Sequence, residues 1–64
     1  MTGRYITFSG DNHYPYGGWA DFRGNAPTLE GAKELADKQW AHVVDLESGN
    51  IVTERTNYTD WRDL

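Results

Sequence analysis

His13, His42 and the carboxylate of Asp11 have the best claim to metal or acid–base chemistry in this sequence of 64 residues. Imidazole nitrogens and a carboxylate are a ligand set for a divalent transition metal. Using them requires a loop carrying Asp11-x-His13 to meet a distant strand, and nothing in the spacing specifies that meeting. His42 reads instead as a half-buried strand residue bonded to Glu54, and His13 as an exposed loop residue. Nucleophilic chemistry is no better supported: Ser9 and Ser48 lack a His-plus-acid pattern, Gly17-Gly18 is too short to cradle a phosphate, and no Walker or Rossmann spacing occurs. Asp11 and Asp21 are the right residue types for a glycosidase pair, yet so short a chain offers little water-excluded space in which to separate their pKa values. The chain is therefore read as non-enzymatic, with no catalytic residue, no metal ligand and no cofactor.

Binding chemistry is better represented. The run from Gly10 to Phe22 holds four aromatic residues, three glycines and a proline, a composition that favours a loop and loads it with flat rings. Beside those rings stand side chains that donate and accept hydrogen bonds. The candidate binding residues are Asp11, Asn12, His13, Tyr14, Tyr16 and Trp19. In the competing reading the same rings roof a minimal core, because small domains recruit loop aromatics for want of other apolar area. Gly17 and Gly18 are expected to set the bend and Pro15 to stiffen it, turning Trp19 and Phe22 inward and leaving Tyr14 and Tyr16 at the surface.

The composition narrows the function classes. A chain of this length forms one domain, near the lower limit for folding alone. It has no cysteine, so neither disulfides nor thiolate metal sites staple it. The N-terminus lacks an apolar h-region and no stretch approaches a membrane span, so the expected location is cytoplasmic and no membrane partner is expected. For the same reason the acceptor-like Asn57-Tyr58-Thr59 reads as a chance match. Ten acids against six bases give a net charge of −4. The bases are scattered, so nucleic acid is an unlikely partner for want of a basic patch.

The elements that must position the loop follow from periodicity. Arg4 to Ser9 alternates as a first strand, with Ile6 and Phe8 on one side and Tyr5 and Thr7 on the other. Trp19 to Arg23 is expected to pair back as a second strand, and Gly24-Asn25-Ala26-Pro27 to break regular structure. Thr28 is the N-cap of a helix running toward Lys38 whose apolar stripe is Leu29, Ala32, Leu35 and Ala36. Trp40–Asp45 and Ile51–Arg55 flank a turn with Gly49 in the left-handed position of a bulge. That register sets Leu46 against Asn50, Val44 against Val52 and His42 against Glu54. Trp40, His42, Val44 and Val52 then share one face, with Trp40 buried beside Leu35 between helix and sheet. The expected fold is α+β, a small antiparallel sheet with one helix packed on one face in the chain order β-β-α-β-β. Residues 1–55 form the domain, and residues 56–64 a tail or short terminal helix.

From Gly10-Asp11-Asn12, Tyr14-Pro15, Gly17-Gly18-Trp19, Asp21-Phe22, the helix start Thr28-Leu29-Glu30 and the hairpin residues Trp40, Val43-Val44-Asp45-Leu46 and Gly49, the chain resembles a family of small uncharacterised bacteriophage and bacterial proteins. The resemblance spans about residues 4–52. It implies origin and shape and carries over no catalytic residue. The expected function is that of a small phage-encoded accessory protein that binds a host protein through the aromatic loop, Tyr and Trp being the residues that dominate interface hot spots. The alternative is a small-molecule binder or sponge, oligomeric, holding a nucleotide or sugar between stacked rings.

Overall fold

The computed structural model describes residues 3–11 and 19–64. Five strands, β1 (Tyr5–Gly10), β2 (Phe22–Ala26), β3 (Trp40–Asp45), β4 (Asn50–Arg55) and β5 (Trp61–Asp63), form one antiparallel sheet in the spatial order β2-β1-β3-β4-β5. A 3-10 turn, Trp19–Asp21, leads into β2, and one helix, α1 (Leu29–Glu34), joins β2 to β3. The expected α+β architecture in the chain order β-β-α-β-β is thereby corrected: the described residues are mostly antiparallel sheet, with a fifth strand and only one short α-helix among them. Residues 61–63, expected within a tail or terminal helix, are that fifth strand, hydrogen-bonded to β4.

The helix is short for a physical reason. Thr28 caps it as expected, its hydroxyl oxygen accepting from the Gly31 amide at 3.1 Å. At the other end the ladder tightens, Leu35 donating to the Ala32 carbonyl and Ala36 to that of Lys33, three residues back rather than four. The carbonyls of Ala36 and Lys38 then accept from the Arg55 guanidinium, at 3.3 and 2.6 Å. A continuing helix would use these carbonyls itself. Hydrogen bonding from Arg55 of β4 thus holds the chain beyond Glu34 in a non-helical path.

Strand alternation divides the side chains between the two sheet faces. Tyr5, Thr7 and Ser9 of β1 lie on the helix side, with Ala41, Val43 and Asp45 of β3 opposite them. Ala26, Ala32 and Val43 form the buried cluster, packed by Tyr5, Leu29, Leu35, Val52 and Trp61. Thr7, Ser9, Ala41, Val43 and Thr53 are all fully buried. Each of the three buried hydroxyls ties down a neighbouring element. Thr7 donates to the Ala32 carbonyl of α1 at 2.7 Å, Thr53 to the Arg62 carbonyl of β5 at 3.0 Å, and Ser9 to the Trp40 carbonyl at 2.8 Å while accepting from the Lys38 amide.

Trp40 is therefore not between helix and sheet. It is buried, 5% exposed, but on the opposite face, in register with Gly10. A Cβ on Gly10 would come within 2.6 Å of the indole, so the missing side chain is the slot that Trp40 fills. Leu35 packs instead at Gly24, where a Cβ would lie 2.9 Å from its Cδ1 and φ is +152°. Here β2 slips one residue against β1, Thr7 pairing with Gly24 and Phe8 with Phe22. The Gly24–Ala26 stretch, read as a breaker, is thus strand in which glycine permits the bulge and the close approach of the helix.

The β3–β4 hairpin also corrects its expected register. Asp45 pairs with Asn50 and Val44 with Ile51, and a bulge at Val52 restores the expected pairing of His42 with Glu54. Val52 consequently packs with the core on the helix side, away from Trp40 and His42. The turn is held by Gly49, at φ +74°, donating to the Asp45 carbonyl at 2.7 Å. The Asp45 carboxylate accepts two bonds from Arg4, each 2.9 Å, and one from the Glu47 amide. Hydrogen bonding to Arg4 holds the Asp45 carboxyl below the usual carboxylate range, against the opposing effect of burial.

Two predictions follow from the turn. Gly49→Ala costs about 1 kcal/mol and Gly49→Asn less, because asparagine tolerates the left-handed conformation; urea unfolding midpoints distinguish them. A carboxylate whose folded pKa is depressed stabilises above its unfolded value of about 3.9 and loses that contribution as pH falls through the folded pKa. Asp45→Asn is therefore less stable than the parent at pH 7, and the gap narrows at pH 3, as measured by the same midpoints.

Candidate functional site

The face of the sheet away from α1 carries one side chain from each strand in a single cross-sheet row. Phe22 pairs with Phe8, Phe8 with His42, His42 with Glu54 and Glu54 with Arg62. At strand spacings of about 4.8 Å this row spans roughly 19 Å, apolar at the β2 end and charged at the β5 end. The 3-10 turn adds Trp19 to the apolar end. Its ring centroid lies 5.6 Å from Phe8 and 5.4 Å from Phe22, and the two phenylalanines are 5.9 Å apart, all at tilted or edge-on angles. These are favourable geometries for aromatic pairs.

Trp19 nevertheless remains 66% exposed. Its expected inward turn is thus only partial: one side of the ring is fixed by two phenylalanines and the rest meets solvent. Phe22, by contrast, is half-buried. The turn explains this placement, since Trp19 and Phe22 are three residues apart and fall on the same side of a 3-10 helix with three residues per turn. Asp11, half-buried, follows directly on β1, and Asp21 ends the turn. Asn12, His13, Tyr14 and Tyr16 lie outside the described residues.

At the charged end, His42 Nε2 stands 3.6 Å from the Glu54 carboxylate, and Arg62 reaches its other oxygen at 3.8 Å. Trp40 packs against the His42 ring, centroids 5.2 Å apart. Among the described residues no group of three or more His, Asp or Glu side chains is arranged to hold a metal ion. Ser9 is buried with its hydroxyl engaged as donor and acceptor, and Ser48 accepts from the Asn50 amide in the turn. Both serines thus have structural duties. Among the described residues no helix is long and apolar enough to cross a membrane.

Sequence reasoning missed Phe8 as a partner of the loop aromatics, as well as the cross-sheet row. The signal for Phe8 was its strand alternation with Ile6, which placed it on a face of its own; the direction of that face depended on where the helix would sit. Trp19→Ala is expected to change stability by less than about 1 kcal/mol, whereas Trp40→Ala, which empties the Gly10 slot, costs about 3–5 kcal/mol. Thermal or urea unfolding of the two variants checks this contrast.

No curated protein and no solved structure matches the chain. A family match covers residues 5–55, from the start of β1 to the end of β4 and including Phe8, Trp19 and Phe22. On that match the chain belongs to the family of bacteriophage T4 protein Y07C.

Proposed function

We propose that this chain is a non-catalytic accessory protein that engages a host protein, in the cytoplasm of the infected cell, through the aromatic corner of Phe8, Trp19 and Phe22. In this reading the adjoining loop residues Asp11, Asn12, His13, Tyr14 and Tyr16 extend the contact. The observation that carries the proposal is the state of Trp19, held against two phenylalanine rings while two-thirds of its surface faces solvent. An exposed ring already fixed in orientation loses little conformational freedom on binding, which is the economy expected of an interface anchor. Membership of a phage family supports a partner in the host.

Affinity capture from host lysate, with the parent chain and Trp19→Ala compared side by side, tests the proposal. Loss of a captured host protein, amounting to at least about 2 kcal/mol or roughly 30-fold in Kd once that protein is purified, is the expected result. Equal capture by the two chains would contradict it. A melting temperature raised by a nucleotide or sugar in the parent but not in Trp19→Ala would assign the corner to a small molecule instead.

A further inference from the structure

We infer that the outer edge of β4 is a strand-docking site, occupied in the free protein by the chain's own β5 and open to an extended segment of a partner protein that replaces it. β4 offers six residues, Asn50–Arg55, whereas β5 pairs with only Thr53, Glu54 and Arg55. Beyond them a single bond, from the Leu64 amide to the Val52 carbonyl at 3.0 Å, continues the ladder. Arg62, Asp63 and Leu64 are exposed. The ion pairs of β5, Lys33 with Asp63 at 3.9 Å and Glu54 with Arg62 at 3.8 Å, are long surface pairs of the kind that contribute little.

β5 is held by the Thr53 hydroxyl, which donates to the Arg62 carbonyl at 3.0 Å, and by Trp61, whose ring receives Arg55 at 5.0 Å and Lys33 at 5.4 Å and packs on the buried cluster. Arg55 defines the chemistry of the site. It is 7% exposed, and among the described residues no carboxylate bonds it: Nη1 donates to the Tyr58 carbonyl and Nη2 to those of Ala36 and Lys38. Its Nε is buried and unpartnered. When the 56–60 connection lifts, Nη1 loses its acceptor, and a buried guanidinium with donors to spare favours a carboxylate in that place. The fitting occupant is an extended segment that pairs antiparallel with β4, sets an aromatic ring where Trp61 lies and brings a carboxylate to Arg55. Main-chain bonds supply affinity and these two side chains specificity, as in other strand additions.

The chain has no cysteine of its own, so Glu54→Cys/Arg62→Cys creates a cross-strand disulfide that locks β5 in place on oxidation. The probe is a synthetic peptide of residues 56–64, which carries both the aromatic ring and carboxylates. Because a short tether gives β5 an effective concentration of about millimolar or more, the peptide is titrated to several millimolar and followed by NMR. In the reduced protein, the amides of Trp61–Asp63 are expected to exchange at least about 100-fold faster than those of β1 and β3, and the peptide to shift β4 resonances. Oxidation is expected to abolish the peptide shifts. Uniform exchange across the sheet, no shifts in the reduced form, or equal shifts in the locked form would each overturn the inference. Disulfide-linked dimers on oxidation would assign the edge to β5 of a second copy and overturn it as well.

Discussion

A helix of six residues covers β1, β2 and β3 on one face of the sheet, and it does so by coming very close. The hydrogen bond from the Thr7 hydroxyl to the Ala32 carbonyl, 2.7 Å long and fully buried, marks that approach. It requires small side chains beneath the helix, and Thr7, Ser9, Ala41, Val43 and Thr53 provide them. Their hydroxyls are tolerable there because each is bonded, to the helix, to the connection before β3 or to β5. The same closeness explains Gly24 under Leu35 and the early end of the helix over Arg55.

Beside these small residues the helix side also holds Tyr5 and Trp61, packed against the buried cluster. Ile6, Phe8, Trp40, His42 and Val44 all fall on the face away from α1. Trp40 lies over Gly10 and is buried there. Phe8 and Phe22 are half-buried against each other and against Trp19, which stays largely in solvent. The exposed aromatic corner thus lies on the face away from the helix, and in our reading it is the surface that the protein uses.

This division also shows what the sequence could reveal. Strand alternation in β1, the Thr28 cap, the left-handed Gly49 and the facing of His42 and Glu54 were legible because each depends on neighbours in the chain or across one turn. The orientation of the sheet was not: Trp40 looked like the natural partner of Leu35 because large apolar residues are usually core, and only the tertiary placement of α1 shows that β3 turns Ala41 and Val43, not Trp40, toward it. The length of α1 was hidden for the same reason, since the Arg55 guanidinium that takes the Ala36 and Lys38 carbonyls comes from a strand many residues later. β5 was invisible because three residues with exposed Arg62 and Asp63 carry almost no pattern. At the site, the loop's wealth of aromatics was legible and Trp19 among them, but Phe8 entered only through the fold.

The two-face account can be examined through the three tryptophan indole resonances of the native chain. Under a soluble paramagnetic relaxation agent, the account predicts strong broadening of the Trp19 indole proton and protection of that of Trp40, with Trp61 between them. Broadening of Trp40 with protection of Trp19 would contradict it, placing the first in solvent and the second in the core.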